Sequence, residues 1–576
     1  MKTSTVLLSC CAAVALWSDP ADACGCFAPP NPTVPVVQAG ERILFAVKNG
    51  EVTAHVQVQY SGASGTDFGW LLPLPAVPTL ELGTDEVFTQ LIAATQPRYQ
   101  MTTTFDSNCT TFSGTGGGSS GGFGAAGGSA AGGSAGSAGG GSPSPLVVQD
   151  SVGPYDYAVL RSDSKTEMLA WLMANRYFVP ANSEAAIDPY IRPGAYFLAL
   201  KLRPGNSTGD LQPVVLRYQS DVGQIPITLT SVGATQDMGV QVWLLGAGRG
   251  IPRNYHHTVI NDAVIDWPNR GQNYNDVIIR AVGEAPGKHS FVTEFAGPGA
   301  RVGATLNPAT RFGTRQEFAT APSPEAFIDL LFSRGFAAPT LTSQQPVFSG
   351  PLKAILTRYL PPPAGVTADT FFFNYRFFKA QAPAPDFQAQ VMADEIWLRV
   401  VKPIQEAAAL FDAHPVLTRL YTTISPADMN KDPVFSFNPS LPSVSNVHTA
   451  NLHVSCSRTQ GFVEQTLSVL TTEQGARRVF PRAQVLPPDT SLAASLRIEV
   501  LREEGAPEIS VDNGPAILER LRMLESALVP NGRDPITRST PPESFPLPRS
   551  SCQSVPVEGA LAALALALAR RRRRAA

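Results

Sequence analysis

Charge is scarce in this chain of 576 residues: Asp, Glu, Lys and Arg together make 16%, against roughly a quarter in ordinary globular proteins. The balance is not basic either. The formal net charge is −3, and about −6 for the body once Lys2, Asp19, Asp22, Glu558 and Arg570 to Arg574 are set aside. Such a body lacks the electrostatic footprint of a nucleic-acid binder. Histidine occurs only seven times, and no H-E-x-x-H places two of them on one helical face, which removes the commonest zinc-protease pattern. No Ser sits in the strand-to-helix turn that makes G-x-S-x-G a nucleophile elbow. What replaces charge is Gly and Pro, at 48 and 51 residues, alongside 43% hydrophobic residues. That mixture fits a folded, turn-rich, mainly β protein, and the length points to more than one core.

The two ends carry addresses. Lys2 is followed by an apolar stretch from Val6 to Trp17 and by Ala21-Asp22-Ala23 before Cys24. A positive start, an apolar middle and a small-residue site in that order read as a signal peptide over 1–23, cut after Ala23. Acylation of Cys24 is the alternative. At the far end, Cys552 precedes an apolar stretch from Gly559 to Ala569 and then Arg570 to Arg574. As a helix this stretch would reach about 17 Å, against a hydrocarbon core of about 30 Å. It reads as a short sorting segment held by its arginines on the cytoplasmic side. A retained stub anchor is the alternative.

The body has four cysteines, Cys24, Cys26, Cys109 and Cys456. In an exported chain an even number implies two disulfides, for which four cysteines allow three pairings. A bond between Cys24 and Cys26 would close a very tight ring, so bridges from that pair to Cys109 and Cys456 are favoured. A metal site at Cys24-Gly25-Cys26 is the other option, but its spacing is shorter than that of zinc knuckles.

Along the body, Ile43 to Val47, the turn Asn49-Gly50 and the alternation Val52, Ala54, Val56, Val58, Tyr60 predict a hairpin. Thr53, His55, Gln57 and Gln59 then face solvent. A third strand is expected at Phe68 to Leu72, stopped by Pro73, and a helix over Thr84 to Thr95. Residues 114–144 are Gly-, Ser- and Ala-rich and read as a flexible insertion between strands at 101–105 and 146–148. Ser164 with Glu167 predicts a capped helix, and Ser323-Pro324 with Gly335 another. Alternating runs predict strands at 196–202, 214–218, 225–229 and 240–244. Leu352 to Leu360 and Ile404 to Phe411 read as helices, and Phe371 to Phe378 as an aromatic strand. The fold class is therefore α+β, mainly antiparallel sheet with inserted helices, in two domains or sub-domains. We place a β-rich domain at 24–305, a mixed domain at 306–530, a Pro/Ser-rich linker at 531–551 and the tail at 552–576.

Two resemblances follow from these residues. Cys552 to Arg574 resembles the MYXO-CTERM tails of myxobacterial surface proteins, which implies recognition by sorting machinery and processing near Cys552. The segment from Cys24 to about Trp267 resembles the bacterial domain-of-unknown-function family 2330. That likeness rests on Cys24-Gly25-Cys26-Phe27, Gln38-Ala39-Gly40-Glu41-Arg42, Asp67-Phe68-Gly69-Trp70-Leu71-Leu72-Pro73, Val152-Gly153-Pro154-Tyr155-Asp156, Leu200-Lys201-Leu202-Arg203-Pro204 and Gly239-Val240-Gln241-Val242-Trp243. It implies export and carries no activity.

The expected function is that of an exported, envelope-associated scaffold or binding protein at the outer membrane or cell surface, otherwise periplasmic or secreted. Its partners are the export and sorting machinery and, through the tail, the membrane; no nucleic acid and no cofactor are expected, and the ligand is open. The alternative is an envelope metal-dependent hydrolase using the late histidines, drawn from His256, His257, Asp262, Asp266 and His448. Trp70, Trp243, Trp267 and Phe371-Phe372-Phe373 would line a carbohydrate or peptide groove or else pack a core. Asp428-Met429-Asn430-Lys431-Asp432 has the flavour of a calcium loop without its glycine and closing glutamate, and reads as a polar turn.

Overall fold

The computed structural model describes residues 26–27, 38–57, 69–105, 144–177, 184–204, 211–339, 345–383, 385–459, 462–471, 474–481 and 491–528. The signal segment, Cys24, Cys109, most of the Gly-rich insertion, the linker and the tail with Cys552 lie outside them. The architecture is α+β, with mostly antiparallel sheets and helices packed against them.

The hairpin forms as its residues dictate. Strands Gln38–Lys48 and Glu51–Val56 pair from Lys48 opposite Glu51 outward, around Asn49 and Gly50 with φ of 55° and 76°. Both turn residues are left-handed, the geometry that matches strand twist and that Asn-Gly adopts most readily. This hairpin sits inside a ten-stranded sheet. Its order runs from edge strand Glu508–Asp512 through Ser495–Val500, His256–Ile260, Ser290–Pro298, Val416–Ile424, Ala234–Gly246, the hairpin and Val214–Gln219 to Thr79–Leu82. Strand Ala234–Gly246 runs parallel to Gln38–Lys48 and antiparallel to Val416–Ile424.

Both faces of this sheet are covered, which corrects one expectation. Ile43, Phe45, Ala54, Val242 and Leu244 face a core shared with a five-stranded sheet, ordered 26–27, 69–74, 196–202, 155–161 and 146–152. Leu44, Ala46, Trp243 and Leu245 face the opposite way, into a core built with helices between Asp85 and Ala413. His55 stands directly opposite Leu44 and Val215, so it shares the helix-covered face and is buried, not solvated. Period-two alternation tells which residues share a face; it does not tell whether anything lies on that face.

The expected division at 305/306 does not separate two sheets. Val416–Ile424 is inserted between Ser290–Pro298 and Ala234–Gly246, and the late strands Ser495–Val500 and Glu508–Asp512 extend the same sheet. Late strands also take in an early one elsewhere: Arg98–Phe105 pairs parallel with Val447–Thr459 in a four-stranded sheet. The strands flanking the Gly-rich insertion, Arg98–Phe105 and Leu146–Val152, therefore belong to different sheets.

Capping signals held. Ser164 and Ser323 each accept a backbone N–H at the start of helices Lys165–Ala174 and Pro324–Ser333, and Gly335 follows the latter with φ 73°; Thr84, expected as the first helical residue, instead caps Asp85–Thr95. Helices Gly350–Tyr359 and Lys402–Ala413 stand where periodicity put them. Two strand expectations failed. Phe371 to Phe378 forms helices Ala368–Phe373 and Tyr375–Phe378, started by the Thr367 side chain accepting from Thr370 N–H. Phe371, Phe372 and Tyr375 point inward while Phe373 and Phe377 are exposed, the 3.6-residue period that aromatic β-propensity had masked. Around Pro226 the run 225–229 becomes the helical turn Ile227–Thr230, with only Gly223–Gln224 extended. Strand Gly69–Leu74 runs on through Pro73, which lies past the part paired with edge strand Cys26–Phe27.

At the centre of the late strand, Arg419 forms an ion pair with Glu294, their side chains 5% and 1% exposed. The Tyr274 hydroxyl donates to the second Glu294 oxygen at 2.6 Å, and the guanidinium lies 5.4 Å from the Trp243 ring. Trp243 Nε1 in turn donates to Thr95 Oγ1 at 3.1 Å. Losing one member of such a pair strands a charge out of water, at a cost of about 3–5 kcal/mol. Urea unfolding should therefore show Arg419→Met destabilised by about that much, with Glu294→Gln added to it recovering most of the loss. Equal stability of Arg419→Met and the parent would show that the pair does not hold the sheet.

Candidate functional site

The late histidines divide between two places. His256 and His257 are neighbours on one strand, so they face opposite ways; His256 is half-buried and His257 buried. His257 lies beneath strand Arg249–Pro252 in a network no spacing in the sequence announced. Its Nδ1 is 3.1 Å from Glu499 Oε2 and its Nε2 is 3.0 Å from Thr293 Oγ1. Arg249 Nη2 donates to Thr293 Oγ1 at 2.9 Å and lies 3.3 Å from His257 Nε2. Arg497 Nε donates to Glu499 Oε1 at 2.9 Å.

Guanidinium can only donate, which assigns every proton. His257 Nε2 accepts, Nδ1–H donates to Glu499, and the Thr293 hydroxyl donates to the ring while accepting from Arg249. The order carboxylate, imidazole, hydroxyl is the one nucleophilic hydrolases use. Burial decides against that use here. Thr293 is 9% exposed and His257 5%, and the Arg249 guanidinium occupies the hydroxyl oxygen that would attack. Burial, and then Arg249, hold the imidazole below its ordinary 6.5, opposed by the hydrogen bond to Glu499. Arg249 itself is lowered to about 10 by burial. For Glu499, burial pushes upward but the contacts with His257 and Arg497 prevail and lower it. The cluster is a polar knot tying four strands together.

Of the other expected members, His448 and Asp262 do meet, Nδ1 and Oδ1 lying 4.0 Å apart. The His448 ring stacks on Tyr99 at 4.8 Å, and Tyr99 meets Trp267 edge-on at 5.1 Å. Asp266 lies one short turn on and accepts from Asn269 Nδ2 at 2.9 Å. His453 faces Thr104 at 3.1 Å. Among the described residues no three of His, Cys, Asp and Glu are grouped to hold a metal ion. Nor do the carboxylates of 428–432 gather on a cation. Asp428 pairs with Lys288 at 2.9 Å, and Asp432 accepts from the Tyr190 hydroxyl, Gln224 Nε2 and Thr228 N–H. That segment is the polar turn its composition suggested.

Most of the aromatic set packs into cores: Trp243, Trp267, Phe371 and Phe372 are buried and Phe373 reaches solvent, while Trp70, also buried, lines a cleft between two sheets. Cys26 and Cys456 are placed by backbone pairing, opposite Leu71 and Gln465; the remaining disulfide candidates, Cys24 and Cys109, together with Cys552 and Ala23, fall outside the described residues.

What sequence reasoning missed is a cleft between the ten-stranded and five-stranded sheets, with a volume of about 190 Å³. Its walls include Phe45, Ala54, Leu216 and Tyr218 on one side and Trp70 and Leu72 on the other. Ala54 stands directly between Phe45 and Leu216 on adjacent strands, and its lone methyl gives the cleft its depth. Pro75, Arg192 and Gln224 are lining residues exposed to solvent and mark the mouth. Two signals hinted at it: Trp70, one of the aromatics that could line a groove, and the small Ala54 between the bulkier Val52 and Val56.

A family model described as an uncharacterized protein conserved in bacteria (DUF2330) matches residues 20–317. No curated protein and no solved structure matches the chain. Among the described residues no helix is long and apolar enough to cross a membrane.

The buried histidines make stability depend on pH. Burial, helped by Arg217, lowers His55 to about 3, and neither ring nitrogen has a hydrogen-bond partner. The unfolded chain therefore binds protons first as pH falls. Stabilisation is complete above about 6.5 and is lost toward acid at about 1.4 kcal/mol per pH unit for such a group. Urea midpoints at pH 6.5 and 5.0 should converge for His55→Phe relative to the parent, by the equivalent of about 2 kcal/mol. Identical pH slopes in the two proteins would mean that His55 is not held neutral by the fold.

Proposed function

The chain belongs to the DUF2330 family of uncharacterized proteins conserved in bacteria, and on that premise we propose that it is an exported, envelope-held protein that binds rather than transforms its ligand. The observation that carries this reading is the pairing of addresses in the sequence. Lys2, the apolar stretch to Trp17 and Ala21-Asp22-Ala23 stand at one end, and Cys552, the apolar stretch to Ala569 and Arg570 to Arg574 at the other. The four body cysteines suit an oxidising compartment, where two disulfides would staple the mature N-terminus to the fold.

The absence of catalytic use for the buried histidine network supports the second half. Its hydroxyl, imidazole and carboxylate are covered and already paired, so a substrate would have to displace Arg249 to reach them. The apolar inter-sheet cleft supports binding, being concave, formed by two rigid sheets and open at one end.

Fractionation and mass spectrometry of the native protein test the reading. The expected result is a chain starting at Cys24, free of residues 1–23, oxidised at Cys24, Cys26, Cys109 and Cys456, and recovered with membranes or the cell surface. Recovery of the full-length polypeptide from the cytosol with every thiol reduced would overturn it.

A further inference from the structure

The cleft carries more than its shape. We propose that it is a binding site for a compact, uncharged, largely apolar molecule bearing one hydrogen-bond acceptor, received by the Tyr218 hydroxyl. Four other buried tyrosines of the body have hydroxyl partners: Tyr155 donates to Gln212 O at 2.6 Å, Tyr190 to Asp432 at 2.8 Å, Tyr255 to Lys431 O at 2.5 Å and Tyr274 to Glu294 at 2.6 Å. Tyr218 is as buried, at 6%, and none of the hydrogen bonds among the described residues involves its hydroxyl. It lines the cleft and stays protonated.

A second orphan stands in the opposite wall. Trp243 and Trp267 donate their indole N–H to Thr95 Oγ1 and Asp262 O, whereas Trp70 Nε1, fully buried, has no acceptor. A bond left unmade by a fully buried donor is costly, so Trp70 Nε1 marks this cleft as a place where an acceptor is wanting. Trp70 would reach an acceptor only by a small shift of its ring, so Tyr218 is the primary contact.

The lining selects the class. Glu41 is buried there and accepts from Thr230 Oγ1 at 2.8 Å, and the exposed Arg192 is at the mouth. The Glu41 carboxylate in the wall disfavours an anionic guest, and the Arg192 guanidinium at the mouth disfavours a cationic one. Apart from Ser220 and Gln224, the remaining surface is Ile, Leu, Val, Ala, Pro and aromatic rings. A volume of about 190 Å³ compares with the 150 Å³ or so of an apolar cavity that accepts benzene, so the guest is one ring or an acyl group of similar bulk.

The inference deepens the binding reading above and rests on it, but its test is independent of location. Purified full-length protein is titrated with acetophenone and with isopropylbenzene, which match in bulk and differ in the carbonyl, using calorimetry and tryptophan fluorescence. Acetophenone should bind roughly tenfold more tightly, the worth of one hydrogen bond to a buried donor. Tyr218→Phe should bring the two probes to equal affinity, and Ala54→Leu, which fills the cleft, should abolish binding of both while circular dichroism shows the fold intact. Failure of both probes to bind, equal affinities in the parent, a preference that survives Tyr218→Phe, or binding unchanged by Ala54→Leu would each overturn the site. None of those results bears on export, which mass spectrometry decides.

Discussion

A strand made late in the chain holds this molecule together. Val416–Ile424 lies hydrogen-bonded on both sides by strands made much earlier, Ala234–Gly246 and Ser290–Pro298. Without it the ten-stranded sheet would split, each half exposing a ladder of unpaired N–H and C=O groups in the middle of the protein. Arg419 puts a charge at the centre of that strand, and Glu294, Tyr274, Trp243 and Thr95 are arranged around it. The family match stops at residue 317, so the sheet of the matched segment is completed by residues beyond it. Closing such long loops is entropically tolerable in the folded state but places this among slowly organised, non-local topologies.

The same covering of both sheet faces explains the fate of the titratable residues. His55 and His257 would be solvated in a one-layer sheet; here the helical layer covers one and strand Arg249–Pro252 the other. In a medium that disfavours charge, imidazoles become neutral hydrogen-bonding groups or inert polar rings. The network of Thr293, His257 and Glu499 thus has the order of a catalytic relay and the setting of a structural knot. Access distinguishes the two, and it is missing. Catalysis needs its hydroxyl where a substrate can meet it.

The inter-sheet cleft stands in contrast. Most of its lining follows from strand alternation, but its depth comes from Ala54 meeting Phe45 and Leu216 across the ladder, and its donors are the Tyr218 hydroxyl and the buried, unpaired Trp70 Nε1. Tyr155, Tyr190, Tyr255, Tyr274, Trp243 and Trp267 by contrast donate to carbonyls, hydroxyls and carboxylates.

Residues close in sequence determined what is local. Asn49-Gly50 set a hairpin, Thr84, Ser164 and Ser323 started helices, and alternation at 196–202, 214–218 and 240–244 made strands, because each effect acts through a few neighbouring dihedrals and hydrogen bonds. Where local signals competed, as in Thr367 capping a run of phenylalanines or Pro226 interrupting an apolar alternation, the backbone hydrogen bond outweighed side-chain preference. Only the tertiary structure decided which faces are covered, that Glu499 meets His257 and Arg419 meets Glu294, and that Ala54 hollows a cleft. Those outcomes depend on partners up to hundreds of residues away, and burial and pairing free energies exist only once the chain has brought them together.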